Sequence, residues 1–214
     1  MIKITFAYNK EKDVWCLLNY GKNSTNSPSP TKTYQRLVAS FGENPSAENA
    51  EIFIEKYISE NNINIQKYII DCQKSWDNIS TKYQEIAEKI FKVVLPKDVT
   101  AYITINNRCP YNIENNFFLV SISAGSANHI AMHELWHFYT WYKFGVTWEA
   151  KIGKQKYNDL KESLTVLLNL ECKDLLGEKT YDGGYPQHKE IREKITQLWT
   201  KEKDLEKLWN NLVV

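Results

Sequence analysis

Two histidines and a glutamate lie close together in one stretch of the sequence. His133 and His137 are four residues apart, and Glu134 directly follows the first histidine. On a helix this spacing puts both imidazoles on one face, one turn apart, so both can bind a single metal ion. Neutral imidazole suits zinc, and Glu134, too far round the helix to be a ligand, is placed to take a proton from a zinc-bound water. The pattern predicts metal-assisted hydrolysis with one zinc ion per chain.

The surrounding residues strengthen this prediction. The flanking positions are all uncharged, namely Ile130, Ala131, Met132, Leu135, Trp136, Phe138 and Tyr139. Such a helix is suited to burial, and a buried helix does not normally carry three titratable side chains without partners for them. His129, one turn before His133, is interpreted as a polar neighbour of a cleft rather than a ligand. The alternative is a metal-free helical protein with a coincidental pattern.

Residues 130–139 resemble the active-site helix of the zincin metallopeptidases, in which a His-Glu-x-x-His helix holds the catalytic zinc. In the metzincin branch a Gly and a third His follow within the same motif. The corresponding positions here are Thr140 and Lys143, which excludes that branch.

The gluzincin branch, the thermolysin-like type, completes its site with a glutamate from a second helix downstream. The segment Glu162-Ser163-Leu164-Thr165, 25 residues after His137, resembles that helix. The resemblance therefore implies that His133, His137 and Glu162 bind the zinc. Glu171 is the alternative ligand, and its expected role is to orient a ligand histidine.

The resemblance covers about residues 101–190. Thermolysin has an aspartate four residues after the ligand glutamate, where this chain has Val166, so the groups that orient the ligands must be arranged differently. Residues 1–95 resemble no family. The resemblance thus implies a compact, divergent gluzincin with a zincin-like fold.

Gluzincins stabilise the oxyanion of the reaction with a downstream tyrosine or histidine, and the available donors here are Tyr181, Tyr185 and His188. We predict His188, with Tyr185 as the next candidate; the alternative for His188 is an ordinary surface histidine.

Zincins also lay an extended peptide beside an edge strand, so Asn116 and Phe117 are predicted to contact substrate. The alternative there is an ordinary sheet strand whose asparagines belong to a turn.

The resemblance implies a zinc peptidase that acts on peptide or protein substrates. A different class is a non-proteolytic zinc sensor or partner-binding module that retains the site. The intact Glu134 argues against that class, because a structural zinc site needs no general base.

The elements that must position these residues follow an α+β order. Residues 2–8 and 14–20 predict an N-terminal β-hairpin, and residues 21–30 a linker. Residues 31–95 predict a helical region with helices at 33–41 and 46–60 and a long third helix. We therefore expect divisions at 1–30, 31–95 and 96–214, or one domain throughout.

The last division is predicted to hold the site. Strands are expected at 101–106 and 117–123, followed by a helix that Ser126 caps and Gly145 ends. A helix over 158–176 and one from Pro186 towards Trp209 complete the chain.

The composition of the chain limits the expected binding partners and cellular location. Lys plus Arg number 27 and Asp plus Glu 26, a balance that favours neither nucleic acid nor an anionic membrane as partner. The sequence lacks an apolar run of membrane-spanning length and a secretory signal, which predicts a cytoplasmic protein. Four scattered cysteines predict reduced, mostly buried thiols.

Overall fold

The chain folds as a mixed α+β protein with a small sheet and many helices. A computed structural model describes residues 1–23, 28–177 and 180–213. The strands are β1 (Ile4–Ala7), β2 (Val99–Thr104), β3 (Tyr111–Asn112) and β4 (Phe117–Ser121). The helices are α1 (Lys10–Tyr20), α2 (Lys32–Phe41), α3 (Ala47–Glu60), α4 (Ile65–Phe91), α5 (Ala127–Ile152), α6 (Lys154–Leu164), α7 (Val166–Glu171), α8 (Lys173–Leu176), α9 (Lys189–Lys201) and α10 (Leu205–Val213), with a 3-10 turn at Pro186–His188.

The sheet has the strand order β1-β2-β4-β3. β1 and β2 are parallel, with Ile4 opposite Val99, and β2 and β4 are parallel, with Thr100 opposite Phe117. β3 runs antiparallel to β4. The strands predicted at 101–106 and 117–123 are confirmed as β2 and β4. The prediction of a small mixed or antiparallel sheet is borne out in its mixed form, since long connections separate the parallel pairs.

The predicted N-terminal hairpin is wrong, because its second strand is helix α1. Asn9 caps this helix by accepting a hydrogen bond from Lys12 N at 2.9 Å. The buried side chains of Val14 and Leu17 are three residues apart on one helix face. A short apolar run fits both the strand and the helix period, so alternation alone misled here.

The helices predicted over residues 31–95 are confirmed as α2, α3 and α4. Ser46 and Asn49 form a reciprocal capping box at the start of α3. Helices α1, α2 and α3 share an apolar core with the end of β2, formed by Val14, Leu17, Tyr34, Leu37, Ala50, Phe53, Ile54 and Ile105. The linker predicted over 21–30 falls partly on residues 24–27, which lie outside the described residues.

Contacts within the chain define two compact units. One combines residues 2–78 with 97–131 and contains the sheet. The other combines Met1 and residues 79–96 with 132–213, and it contains most of α5 and the helices after it. The predicted divisions are continuous stretches of sequence, whereas each unit joins separated stretches.

Helix α5 begins where the sequence predicts but extends past the predicted end. Ser126 Oγ accepts a hydrogen bond from His129 N at 3.2 Å, as an N-cap does. Gly145 does not stop the helix. It lies inside α5 against the ring of Trp141, where a Cβ would approach Trp141 Cδ2 to 2.5 Å. The helix ends at Gly153, whose φ is +82°.

The predicted helix over 158–176 is three shorter helices, α6, α7 and α8. The helical segment begins earlier than predicted, at Lys154, and is interrupted at Thr165 and at Cys172. At the first interruption Thr165 N bonds the Glu162 carbonyl, three residues back, instead of the carbonyl four residues back. Gly177, with φ +81°, follows the last turn as expected.

The last predicted helix is likewise divided. Pro186 opens a 3-10 turn, α9 follows directly, and the chain leaves the helix at Glu202 with extended dihedral angles. Asp204 then caps α10 by accepting hydrogen bonds from Glu206 N and Lys207 N, both at 3.0 Å. A second cap inside the predicted segment is the physical reason for the division.

The four cysteines all lie among the described residues and form no disulfide, and Cys16, Cys72 and Cys172 are buried, which confirms the cysteine prediction. Across the described residues, no helix combines the length and apolarity needed to cross a membrane.

Candidate metal centre

Helix α5 presents its two histidines as one pair. The Nε2 atoms of His133 and His137 lie 3.1 Å apart. The apolar neighbours predicted to bury this helix do so, with Ala131, Met132, Leu135 and Trp136 at most 1% exposed. His137 is buried among them, while the His133 side chain keeps 21% of its surface exposed. The pair therefore lies at the border of the core.

Helix α6 brings Glu162 to the same point. Its Oε2 lies 3.4 Å from His137 Nε2 and 3.7 Å from His133 Nε2. Tyr157, Leu160 and Leu164 are buried on the same short helix, which anchors α6 so that the carboxylate of Glu162 is held inside the protein. The structure thus brings together the three residues predicted to bind zinc.

The spacing of these three atoms fits a zinc ion. A tetrahedral zinc bound at about 2.0–2.2 Å separates its ligand atoms by about 3.3–3.6 Å. The three observed separations, 3.1, 3.4 and 3.7 Å, bracket that value. Two imidazole nitrogens and one carboxylate oxygen are also a donor set that zinc prefers, with a fourth position left for another ligand.

Asp182 orients the first histidine. Its Oδ2 lies 2.6 Å from His133 Nδ1. An ionised carboxylate only accepts hydrogen bonds, so Nδ1 carries the proton and donates it. In a neutral imidazole this leaves the lone pair on Nε2, the nitrogen that faces His137 and Glu162. Asp182 therefore sets His133 in the tautomer that a metal requires.

Asp182 is itself held on several sides. Arg192 NH2 donates to Asp182 Oδ1 at 3.0 Å and also to the Asp182 carbonyl. Asn169 fixes the backbone by accepting from Asp182 N at 2.8 Å and donating to its carbonyl at 2.9 Å. Thr165 Oγ1 lies 2.8 Å from Asp182 Oδ1 and accepts from Arg192 NH1. These contacts leave the carboxylate little freedom to turn.

The segment that packs against Arg192 requires glycine at position 184. Gly184 has φ +62°, and a Cβ at this position would lie 2.8 Å from the Cδ, Nε and Cζ atoms of Arg192. The Asp182-Gly183-Gly184 turn consequently lies directly against the guanidinium group.

Charge is concentrated and buried at the site. The acidic residues Glu134, Glu162 and Asp182 are at most 8% exposed, as are the basic residues Lys161 and Arg192. Three acidic side chains and two cations are thus buried together around the histidine pair, and buried charges of this kind need close partners of opposite sign. Lys161 Nζ lies 3.1 Å from Glu162 Oε1.

Burial raises the pKa of Glu134 to about 8, with the charge of Glu162 adding to the rise and that of His133 opposing it. Burial also lowers the pKa of His137 to about 4. Burial alone would lower the pKa of His133, but the charge and hydrogen bond of Asp182 hold it well above its ordinary value. The two histidines thus differ because only His133 faces an aspartate.

The residues predicted to stabilise an oxyanion lie in the segment after α8. His188 is buried, and its Nε2 lies 3.1 Å from Asp159 Oδ1. The Tyr185 ring meets the His188 ring edge-on at 5.7 Å, and Tyr181 is 67% exposed. His188 is therefore not the surface histidine of the alternative interpretation, and its catalytic role stays a prediction.

Glu171, the alternative ligand, has other partners. Its Oε1 accepts from Trp199 Nε1 at 2.8 Å and lies 2.6 Å from Lys203 Nζ. The predicted role of Glu171 in orienting a ligand histidine is therefore wrong, since the carboxylate within hydrogen-bonding distance of His133 Nδ1 is that of Asp182.

The predicted substrate strand is not an edge strand. β4 lies between β2 and β3, and Phe117 is paired on both sides, with Thr100 and Asn112. Asn116 has φ +51° in the turn before β4, as in the alternative interpretation. The prediction of an edge strand is wrong, because β3 pairs with the start of β4. Substrate contact by Asn116 and Phe117 stays a prediction, and this strand pairing does not support it.

Sequence reasoning missed Asp182, Arg192 and Lys161 as parts of the site. One sequence signal pointed to Asp182, since it precedes two glycines in the segment that contains the predicted oxyanion donors. Lys161 adjoins the predicted ligand Glu162, but neighbouring helix residues point in different directions, so adjacency gave no sign of contact.

Comparison of the chain with protein-family models, with curated proteins and with solved structures finds no match. The class that the fold and the site define is an α+β protein with a buried His-His-Glu cluster.

Proposed function

We propose that this protein is a zinc-dependent peptidase of the gluzincin type. The observation that carries the proposal is the convergence of His133 Nε2, His137 Nε2 and Glu162 Oε2 to within 3.7 Å of one another. A zincin-like arrangement of α5 and α6 and a peptide substrate are parts of the same proposal. Asp182 supports it, because metal-binding histidines usually donate their second ring nitrogen to a carboxylate or carbonyl.

His133, His137 and Glu162 would hold the metal. Zinc, when bound, supplies a Lewis acid that polarises the peptide carbonyl and makes water a stronger acid. The protein contributes a ligand set fixed on two anchored helices, so little rearrangement is needed for metal to bind.

Glu134 is the proposed general base. It follows a ligand histidine on α5, and its carboxyl group is buried beside the site. It takes a proton from the attacking water at its carboxylate and then passes that proton to the leaving amine. A structural zinc site would have no use for such a group at this position.

The test combines metal content with peptide hydrolysis. We expect about one zinc per chain after purification without chelators, and cleavage of peptides from a mixed library. Glu134→Gln should retain zinc and lower the rate by at least about 100-fold, because the amide cannot take a proton. His133→Ala should lose both zinc and activity.

Glu149→Gln is the matched control, since Glu149 lies on the same helix α5 outside the cluster. It should leave both zinc and rate unchanged. Full activity in Glu134→Gln would refute the assigned mechanism. Stoichiometric zinc without any hydrolysis would favour the non-proteolytic zinc module instead.

A further inference from the structure

Lys161 is a buried lysine beside the candidate metal centre. It is 5% exposed, and its Nζ lies 3.1 Å from Glu162 Oε1. Burying an ammonium group is costly unless an anion compensates it, so this position is not explained by the apolar packing of α6. The ammonium group therefore belongs to the electrostatics of the site.

The two carboxylate oxygens of Glu162 have different partners. Oε2 faces the histidines, at 3.4 Å from His137 Nε2 and 3.7 Å from His133 Nε2. Oε1 faces Lys161. A carboxylate can bind a metal through one oxygen or both, and a cation on one oxygen opposes the second mode.

We infer that Lys161 is a positioning residue that holds Glu162 as a one-oxygen metal ligand and thereby keeps a coordination position open. The inference rests on the proposed function. An open position separates a catalytic zinc site from a structural one, so Lys161 acts on the reaction through Glu162. Without its ammonium group, Glu162 is free to bind through both oxygens, which together with the two histidines and a water would raise the coordination number from four to five.

The experiment replaces zinc by Co²⁺, whose visible absorption per ion falls when the coordination number rises above four. The variant is Lys161→Met, which keeps an unbranched stem and removes the charge. We expect one cobalt per chain in both proteins and an absorption in Lys161→Met at most about half that of wild type. With zinc, kcat should fall by about 10-fold or more and KM should change less.

Two controls isolate the charge of Lys161. Lys161→Arg keeps a cation that can donate to Oε1 and should retain most of the wild-type spectrum. Lys154→Met removes an exposed lysine from the same helix and should change nothing. If circular dichroism shows Lys161→Met to be unfolded, Lys161→Gln takes its place with the same expected spectrum.

The outcomes separate this inference from the proposed function. A folded Lys161→Met or Lys161→Gln protein with one cobalt and the wild-type spectrum would overturn the inference alone. A wild-type protein that binds neither zinc nor cobalt would overturn the proposed function and, with it, this inference. A reduced cobalt absorption in Lys161→Met or Lys161→Gln, together with wild-type absorption in Lys161→Arg, would support the positioning of Glu162 by the charge of Lys161.

Discussion

At the scale of single residues, Asp182 controls which nitrogen of His133 is available to a metal. Its Oδ1 is occupied by Arg192 NH2 at 3.0 Å, and its Oδ2 by His133 Nδ1 at 2.6 Å. Because the guanidinium can only donate, the atom that faces it must remain an acceptor. In an Asp182→Asn variant the amide nitrogen would therefore replace Oδ2, the atom that faces His133.

Asp182→Asn should therefore weaken zinc binding. With the amide oxygen kept against Arg192, the amide nitrogen faces His133 Nδ1 and donates to it, which moves the imidazole proton to Nε2. We expect the zinc dissociation constant to rise by about 10- to 100-fold, measured by competition with a chelator. Asp174→Asn, on exposed residue Asp174 of α8, serves as the control. Equal affinity in Asp182→Asn and wild type would contradict the orienting role.

The limits of sequence prediction at this scale follow from distance along the chain. His133 and His137 could be predicted as a pair because helix geometry is local. Glu162 was predicted through a resemblance, and the structure brings it to the pair. Asp182 lies 49 residues from His133 in the sequence, in a loop whose path depends on Arg192 and Asn169. Residue types alone do not determine such a path.

At the scale of elements, α5 depends on a glycine that local rules interpret as its end. Gly145 lies in the helix interior, and a Cβ there would approach the ring of Trp141 to 2.5 Å. Glycine ends helices when it adopts positive φ, as Gly153 does at +82°. Gly145 does not have a positive φ, and its missing Cβ instead leaves room for the Trp141 ring. The sequence alone does not distinguish these two uses of glycine.

Gly145→Ala should consequently destabilise the protein. Alanine favours a helix interior over glycine by about 1 kcal/mol, but the clash with Trp141 costs about 1–3 kcal/mol, so the net effect is a loss of up to about 2 kcal/mol. Denaturant unfolding followed by circular dichroism measures it. Val146→Ala, at the neighbouring position that is 73% exposed, should change stability by less than about 0.5 kcal/mol. A more stable Gly145→Ala protein would show that the Trp141 ring moves freely.

The predicted helix that carries Glu162 shows the same limit of sequence prediction. Its apolar stripe predicted one helix over 158–176, whereas the structure interrupts it at Thr165. The Thr165 hydroxyl lies 2.8 Å from both the Glu162 carbonyl and Asp182 Oδ1, and its single proton can serve one of them at a time. The interruption therefore places the Thr165 hydroxyl within hydrogen-bonding distance of Asp182. This tertiary contact overrides the local helix propensity of the segment.

At the scale of the whole molecule, contacts between distant parts of the chain decide the topology. β1 pairs with β2, 95 residues later in the chain, rather than with the segment directly after it, which forms helix α1. Asp13 joins α1 to the end of β2, because its Oδ1 accepts from Thr104 Oγ1 at 2.6 Å and from Ile105 N at 3.1 Å. The α+β class could be predicted from the order of elements, but this pairing could not, because no local pattern encodes it.

Asp13 should make the stability of the protein depend on pH. Burial raises the pKa of Asp13 from 3.8 to about 6, against the opposing hydrogen bonds from Thr104 and Ile105. Between these two values the folded state keeps a proton that the unfolded state has lost. The unfolding free energy therefore falls as pH rises from about 4 to about 6, by up to about 3 kcal/mol, and the contribution is constant above that range.

The comparison with Asp13→Asn isolates this contribution, since the amide oxygen can still accept both hydrogen bonds but carries no charge. Denaturant unfolding at pH 4, 5, 6 and 7 should give a wild-type stability that declines relative to Asp13→Asn across the window. Asp71→Asn, at an exposed aspartate paired with Lys67, controls for surface charge and should follow the wild-type profile. Parallel profiles for wild type and Asp13→Asn would mean that the buried carboxylate is compensated once charged, and that the junction of α1 and β2 is insensitive to pH.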